Sequence, residues 1–431
     1  MNLTRVEVSN FKGVDSLTFE PGQVTLLTGR NNSGKTSMLE AVELAVDPSR
    51  IEQYGERVES LIAAGAESAE IVVEYEDGED VETRALELWV LENVEVPTLV
   101  ADRVGKTNRQ QSVIVDRLAS TLEIPGQSVL QEEALSEVAE MIGEEVQIAV
   151  RNEWLERPKE TAVKTVQIDI GADSHTYVYV DELPRDFVDN VTGTAAAAAV
   201  ERLDQQTADS FEKQSPWDDI LVSFEHCVDN FVRYRLRDGH LFAHRPAKLA
   251  SVGFRDELAL TADEIDLGEN DGAIRLSNIE EYLIDNGLAE NLDTLSLDQM
   301  VYEEDGEKYQ VPYEFVGEGF KTLLGLLWEL WEDTPELLLL EEPETHMHPR
   351  YVHEFVRWFV DVVRDRGVQV FLTTHDIDTI RSFFDFVEPS QKAFLREEFR
   401  LLQMDQTLPE SYDYDEAESL SKELQTDLRG I

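Results

Sequence analysis

The sequence has few of the features that mark secreted or membrane-spanning proteins. Its 431 residues include one cysteine, Cys227, which has no partner for a disulfide within the chain. No uninterrupted apolar run approaches the roughly 20 residues of a membrane helix, and the longest candidate, LLGLLWELWEDTPELLLL, contains acidic residues and a proline. The start, MNLTRVEVSNFKG, lacks the apolar core of a secretory signal. These absences favour a cytoplasmic chain without a membrane segment.

Basic residues are also scarce. The chain has 37 Lys and Arg against 90 Asp and Glu, a formal net charge of -53 that is spread along the whole sequence. Periodic apolar segments recur throughout, which favours a folded core under an acidic surface over disorder. Such a surface is typical of a halophilic protein, because concentrated salt screens the repulsion between its charges. A chain this acidic repels nucleic acid unless it concentrates its basic residues locally.

One window does concentrate them. NFVRYRLRDGHLFAHRPAK alternates basic and aromatic residues, and an extended conformation places its first three arginines on one face. Contact with nucleic acid is one interpretation, and internal pairing with the many carboxylates is the other. The same two interpretations apply to three basic residues further upstream. The basic residues concerned are Arg233, Arg235, Arg237, His240, His244, Arg245, Lys248, Arg103, Lys106 and Arg109.

Near the N-terminus, GQVTLLTGRNNSGKTSMLEAVELAV predicts a strand, a glycine-bounded loop and a helix. Residues 29–36 match the spacing G-x-x-x-x-G-K-[ST], in which backbone N–H groups and the following helix N-terminus bind phosphates. Lys35 is predicted to reach the β- and γ-phosphates of ATP, and the Thr36 hydroxyl to bind Mg²⁺. A chance glycine-rich turn is the alternative, but the strand before and the helix after the loop favour the phosphate site. The predicted ATP-binding residues are Gly29, Arg30, Asn31, Asn32, Ser33, Gly34, Lys35, Thr36 and Ser37.

A second motif, LLLLEEPETHMHP, carries an apolar strand directly into two glutamates. Because adjacent strand residues point to opposite sides, we expect Glu341 to bind magnesium, directly or through water, and Glu342 to polarise the attacking water. Pro343 is expected to end the strand, since it has no N–H. A strand that merely ends at the surface is the alternative. His346 and His348 have no third ligand at a spacing typical of zinc.

A third motif, GVQVFLTTHD, predicts a short strand over residues 368–372 that leads to Thr373, Thr374 and His375. A histidine at the end of such a strand can hydrogen-bond a γ-phosphate or the attacking water. In open α/β sheets, ligands bind at the carboxyl ends of the strands. We therefore predict that His375 joins the other two motifs at one edge.

Together SNFKGVDSLTF, TGRNNSGKTSMLEAV, LLLLEEPETHMHP and FLTTHD resemble the ABC-type ATPase heads of SMC-like and RecF-like proteins, and within them the OLD-like AAA-type ATPases. The resemblance implies an α/β fold, a P-loop NTPase of ABC-ATPase-head type with a mixed sheet and flanking helices. It implies phosphate binding by residues 29–36, metal binding by Glu341, a catalytic carboxylate in Glu342 and a switch histidine in His375. The family more often has aspartate at the position of Glu341.

The family's heads bind ATP between two subunits, each of which supplies a glycine-bearing helix start. EFVGEGFKTLLGLLWELW is similar, with Gly317 and Gly319 opening a helix, although it differs from the familiar LSGGQ form. The resemblance thus implies an ATP-dependent homodimer in which these glycines contact nucleotide. A glycine-containing helix entry without a ligand is the alternative.

The resemblance covers both chain ends and is weak between them, so we expect a large, mixed, helix-rich central insertion. The predicted segments are 1–94 and 301–390 for the ATPase head, 95–300 for the insertion and 391–431 for an acidic tail. Within the insertion, TVQIDIGADSHTYVYV predicts a hairpin, and helical patterns lie near 130–150 and 194–213. We expect no TOPRIM nuclease domain in the 56 residues after His375, and interpret Asp413, Asp415 and Glu416 as solvated acids.

The combined prediction is a Mg²⁺-dependent ATPase whose heads engage around ATP, coupled to DNA repair or phage defence through DNA or a separate effector nuclease. A nucleotide-binding interaction switch that does not turn over is the main alternative. A self-contained nuclease is a more distant one.

Overall fold

The computed structural model describes most of both chain ends and part of the middle. The described residues are 1–78, 80–91, 123–124, 127–128, 144–145, 148–150, 152–153, 163–180, 185–207, 222, 225–226, 229, 240–242, 246–253, 272–289, 291–296, 299–331, 335–345, 347–404 and 409–422.

The strands and helices alternate at the chain ends, as in α/β proteins. The strands are β1 (Asn2–Phe11), β2 (Val14–Phe19), β3 (Val24–Gly29), β4 (Ser68–Asp77), β5 (Asp80–Val90), β6 (Glu123–Ile124), β7 (Gln127–Ser128), β8 (Val163–Ile170), β9 (Asp173–Val180), β10 (His240–Phe242), β11 (Val252–Gly253), β12 (Leu292–Thr294), β13 (Gln299–Glu304), β14 (Glu307–Pro312), β15 (Leu337–Glu341), β16 (Gln369–Thr374), β17 (Phe399–Met404) and β18 (Glu410–Asp413). The α-helices are α1 (Lys35–Val46), α2 (Arg185–Thr207), α3 (Gly272–Asp285), α4 (Glu318–Trp331), α5 (Pro349–Arg366), α6 (Ile377–Asp385), α7 (Pro389–Glu398) and α8 (Tyr414–Lys422). Two 3₁₀ segments span Pro48–Leu61 and Tyr313–Phe315.

The chain forms two compact units. Unit 1 comprises residues 1–48, 69–85 and 247–431, and unit 2 comprises residues 49–68 and 86–246. Unit 1 therefore contains both chain ends and all three sequence motifs. The predicted boundaries near residues 94 and 300 are not decided by this division and stay predictions.

A six-stranded sheet organises unit 1, in the order β11-β15-β16-β3-β17-β18. Its strands are parallel except for β18, which is antiparallel to β17, so the sheet is mixed. The four leucines of β15 and all six residues of both β3 and β16 are buried, as expected for strands covered on both faces. The predicted α/β fold with a mixed sheet and flanking helices is confirmed.

The register of this sheet places the carboxyl ends of three neighbouring strands, β15, β16 and β3, at the same level. Glu341 of β15 lies opposite Thr373 of β16, and Thr373 lies opposite Leu27 of β3. On the other side of β3, Met404 lies opposite Gly29. The carboxyl ends of β15, β16 and β3 therefore meet at one edge, where the predicted motifs begin.

A second sheet in unit 1 pairs β1 antiparallel with β2 and β4. The side chain of Gln369, which is 2% exposed, connects it to the first sheet. Its Oε1 accepts from Leu3 N at 2.8 Å, and its Nε2 donates to Leu3 O at 2.9 Å and to Gly22 O at 3.1 Å. One amide thus supplies hydrogen bonds to three backbone groups.

The C-terminal segment differs from its prediction as an acidic tail. Residues 389–404 and 409–422 form α7, β17, β18 and α8, and β17 lies beside the phosphate-loop strand β3. Tyr414 is fully buried, and its hydroxyl donates to Phe383 O at 2.9 Å. Asp415 pairs with Arg396 at 2.9 Å. The high acid content of this segment, which suggested a solvated tail, belongs to its exposed face.

In unit 2, β8 and β9 form the predicted hairpin, with Ile170 opposite Asp173, and β10 pairs antiparallel with β9. Helix α2 begins at Arg185, earlier than the pattern near 194 indicated. The alanine run at residues 195–199 lies within this helix and contributes three buried residues, Ala195, Ala196 and Ala199. Of the predicted helical pattern near 130–150, residues 130–143 lie outside the described residues, and residues 144–145 and 148–150 are helical.

The C-terminal end of α1 is held by a buried arginine. Arg84, which is 9% exposed, donates from its guanidinium to Ala45 O at 3.2 Å, Val46 O at 3.3 Å and Ala247 O at 2.6 Å. The first two carbonyls are among the last four of the helix, which have no partner within it. Burial lowers the pKa of Arg84. The guanidinium thus caps α1 and ties its end to residue 247.

Candidate functional site

The loop between β3 and α1 has the backbone of a phosphate-binding turn. Gly29, Asn32 and Gly34 have positive φ angles of 145°, 62° and 97°. A Cβ at Gly29 would lie 2.5 Å from Met404 O and 2.7 Å from Ser33 Oγ, so no other residue fits there. Arg30, Asn31 and Asn32 form the exposed tip, and Ser37 is half-buried in the first turn of α1.

The first turn of α1 supplies N–H groups for an anion. Its N-cap is Gly34, which has no side chain to bond them, and the helix dipole adds partial positive charge. Lys35 is 7% exposed, and its Nζ donates to Gly29 O at 2.9 Å and Arg30 O at 3.1 Å. Burial lowers the pKa of Lys35, and the nearby carboxylates of Glu342, Glu341 and Glu344 oppose that shift. The loop therefore presents an ammonium group and backbone donors at one place.

Thr36 and Glu341 lie together at the same edge. The Thr36 hydroxyl donates to the Glu341 carboxylate across 305 residues of sequence. A hydroxyl and a carboxylate are hard oxygen donors of the kind that Mg²⁺ binds, so the residues fit this ion. Glutamate in place of the family's more frequent aspartate is long enough to reach the threonine. Thr36 and Glu341 would hold the ion, which would supply charge neutralisation at the phosphate oxygens.

The prediction for the two glutamates assumed that both lie in the strand, but Glu342 does not continue it. β15 ends at Glu341, and Glu342 has a φ of 46°, in the left-handed region that is uncommon for residues with a side chain. Its N–H donates to Thr373 O at 3.1 Å, and its Oε1 lies 2.7 Å from His375 Nδ1. The turn, and not strand alternation before Pro343, separates the directions of the two glutamates. The structure brings Glu342 and His375 into contact.

The sequence analysis missed Glu344, a third carboxylate beside this pair. It is 7% exposed, its carboxylate accepts from the Thr374 hydroxyl, and its Oε2 has no hydrogen-bond partner. Burial raises the pKa of Glu344 to about 7. The residue type at this position, an acid two residues after Glu342, was visible in the motif EEPE, but only the fold shows that it is buried.

We expect Glu344 to make stability decrease as the pH rises. Its pKa in the folded protein is above the ordinary value of 4.5, so its contribution is complete below about pH 4.5 and is lost as the pH rises through about 7. A shift of this size corresponds to about 3 kcal/mol in the free energy of unfolding. In Glu344→Gln this loss should disappear, so melting temperatures at pH 5 and pH 8.5 should differ less than in the wild type. Glu7→Gln, at an exposed site, is the control, and an unchanged pH dependence in Glu344→Gln contradicts the assignment.

The structure places Gly317 and Gly319 at a helix start, as predicted. Gly317 precedes α4, and its carbonyl accepts from Phe320 N at 3.0 Å. Both glycines line a groove of about 440 Å³, together with Tyr302, Phe320, Met347 and Tyr351. No phosphate-loop residue lines this groove. Within one chain, these glycines are therefore not part of the Lys35 site.

Most of the predicted basic window lies outside the described residues, including Arg233, Arg235, Arg237, His244 and Arg245, as do Arg103, Lys106 and Arg109. Of its members, His240 begins β10, and Lys248 pairs with the buried Asp47 at 2.5 Å. His346 is likewise outside the described residues.

Among the helices that the structure describes, none has the length and hydrophobicity needed to span a membrane.

These features define a phosphate-loop nucleotide-binding site on a mixed α/β sheet, and comparison with family models supports that class. Residues 1–139 match the family described as "AAA ATPase domain". Residues 182–381 match the family described as "AAA domain, putative AbiEii toxin, Type IV TA system". Both motif-bearing regions of the chain are therefore similar to AAA-type ATPase domains.

Individual relatives match less fully. A 45-residue segment is 47% identical to the DNA replication and repair protein RecF of Marinomonas sp. (strain MWYL1), and covers 10% of this chain and 12% of that protein. An SMC head domain from Pyrococcus furiosus is 10% identical with a TM-score of 0.41, over 98% of this chain and 99% of that one. The SMC head domain from Thermotoga maritima is 12% identical with a TM-score of 0.41, over 96% and 99%. Structural similarity of this degree does not bear on function.

Proposed function

We propose that the chain is a Mg²⁺-dependent ATPase with an ABC-type, OLD-like head that dimerises around ATP. The observation that carries the proposal is the convergence, at one sheet edge, of Lys35, the Thr36–Glu341 contact and the Glu342–His375 contact. These residues come from three parts of the sequence: Thr36 and Glu341 are 305 residues apart, and Glu342 and His375 are 33 residues apart. Each supplies a different requirement of phosphoryl transfer: an anion site, metal ligands and a group that orients water.

The proposed roles follow from the positions. Lys35 and the N–H groups of residues 29–37 hold the phosphates, and Thr36 and Glu341 hold the metal ion. Glu342 accepts a proton from the attacking water, since a carboxylate within hydrogen-bond reach is a suitable general base. His375, in contact with Glu342, responds to the γ-phosphate. Gly317 and Gly319 would contact the nucleotide of a second copy, because they lie outside the site of their own chain.

The wider role is proposed as coupling of head engagement to DNA repair or phage defence, through DNA or an effector nuclease in another chain. Support comes from the AAA family models and from the RecF segment, whose name concerns DNA replication and repair. The acidic composition argues that DNA contact needs a local basic surface.

The test is steady-state ATP turnover in concentrated KCl with Mg²⁺, with and without duplex DNA. We expect turnover that falls at least about 100-fold in Lys35→Ala, because the variant loses the ammonium group from the phosphate site. Lys308→Ala, which changes an exposed lysine paired with Asp293, is the matched control. Stimulation by DNA supports the DNA-coupled role. Nucleotide binding without Lys35-dependent turnover would favour the interaction switch instead.

A further inference from the structure

Two loops carry the contact between Glu342 and His375. The first follows β15 and turns at residues 342–345, where Thr345 N donates to Glu342 O at 2.9 Å. The second follows β16 and leads into α6, whose N-cap is Asp376. Glu342 has the sparsely populated left-handed conformation, and its side chain and His375 are 28% and 54% exposed. Such a conformation persists only where the surrounding structure holds it, and at this exposure the two side chains have little packing of their own.

A buried pair directly beneath supplies that support. The Thr374 hydroxyl donates to the carboxylate of Glu344 and accepts from Asp376 N at 3.0 Å. Thr374 is fully buried and Glu344 nearly so, which excludes water as a competing partner. The hydroxyl therefore connects the residue two positions after Glu342 to the backbone on the far side of His375.

We propose that Glu344 and Thr374 are positioning residues, which fix the loop of Glu342 against the loop of His375 so that the two side chains meet in reactive geometry. The inference rests on the proposed ATP hydrolysis, and it adds residues that touch neither phosphate nor metal. Neighbouring groups agree with it. Glu342 N also donates to Thr373 Oγ1 at 3.2 Å, so consecutive threonines of β16 hold consecutive parts of the turn.

A positioning role predicts loss of turnover without loss of nucleotide binding. Displacement of a catalytic group by about 1 Å can slow a reaction about 100-fold. In Thr374→Val, which keeps the shape and removes the hydroxyl, we expect kcat to fall at least about 10-fold while KM for ATP changes less than about 2-fold. Thr374→Ser and Glu344→Gln each retain a hydrogen-bonding group at the contact. Each of these variants should therefore keep most of the wild-type kcat.

The control is Thr192→Val in α2 of unit 2, which removes another fully buried threonine hydroxyl, one that donates to Val188 O. If Thr374→Val and Thr192→Val have the same kcat, or if Thr374→Ser is as slow as Thr374→Val, the positioning role is wrong. A fall in nucleotide affinity parallel to the fall in kcat also overturns it, because that result indicates a general loss of structure.

A second readout does not depend on turnover. The ring resonances of His375 can be followed by NMR with labelled histidine, assigned with His375→Gln. Because Glu342 lies 2.7 Å from this ring, release of the contact in Thr374→Val should move these resonances relative to wild type. If the wild type does not hydrolyse ATP but the resonances move, the proposed function fails and the positioning pair stands. Unchanged resonances refute the pair even if the wild type is an active ATPase.

Discussion

Glu342→Gln should abolish turnover while leaving ATP bound. The substitution keeps the size of the side chain and a hydrogen-bonding group near His375 Nδ1, but it removes the carboxylate that accepts a proton. General-base catalysis contributes typically about 100- to 10,000-fold, so we expect kcat to fall at least about 100-fold. Affinity for ATP should change little, because Lys35 and the loop N–H groups are untouched. Single-turnover hydrolysis and equilibrium binding of labelled ATP measure the two quantities separately.

The same variant distinguishes the two functional hypotheses. If heads engage around ATP, a variant that binds without hydrolysis should accumulate as a dimer in the presence of Mg-ATP, which sedimentation velocity detects. An interaction switch that does not turn over should behave like its wild type in both assays. Glu7→Gln, at an exposed glutamate paired with Arg5, controls for the loss of one negative charge from a chain with a net charge of -53. Equal turnover in Glu342→Gln and Glu7→Gln would exclude Glu342 as the base.

Arg84→Met should destabilise unit 1 strongly. The variant keeps most of the apolar stem but leaves the carbonyls of Ala45 and Ala247 without their buried donor, whereas Val46 O still accepts from Leu249 N at 2.8 Å. Unsatisfied buried groups cost about 1–3 kcal/mol each, and the helix end also loses a favourable positive charge. We expect a loss of about 3 kcal/mol or more, seen as a fall in melting temperature of several degrees.

Two controls accompany this measurement. Arg84→Lys keeps the charge, but one ammonium nitrogen replaces the two guanidinium nitrogens that reach different carbonyls, so it should recover only part of the loss. Arg5→Met removes an arginine whose side chain is 46% exposed, and it should change the melting temperature little. If Arg84→Met has the same melting temperature as the wild type, the guanidinium does not stabilise the C-terminal end of α1.

The sequence predicted the strands and helices of the site because its motifs are local. The strand, loop and helix around residues 24–46 could be derived from apolar periodicity and the glycine spacing alone. The level ends of β15, β16 and β3 also followed, since parallel strands share an edge. The turn at Glu342 could not be derived, because a left-handed residue with a side chain is stabilised by contacts with Thr373, 31 residues away.

The sequence analysis missed three buried polar residues for one reason. Glu344, Gln369 and Arg84 are polar, and in so acidic a chain the default expectation is exposure. Their burial depends on partners that are distant in sequence, such as Leu3 for Gln369, 366 residues apart. For the same reason the C-terminal segment was interpreted as a tail. Only the pairing of β17 with β3 shows that it completes the sheet beside the phosphate loop.

The position of β3 in the sheet has a consequence for synthesis of the protein. Its two neighbours, β16 and β17, begin at residues 369 and 399, so this fully buried strand has no neighbouring strand in its sheet until synthesis has passed residue 369. At about 5–20 residues per second, translation takes roughly 20–70 s to go from β3 to β16. Throughout that interval an apolar segment stays exposed on the nascent chain, and the phosphate loop that follows it lacks the sheet edge that positions it. The site can thus assemble only after β16 and β17 have been synthesised.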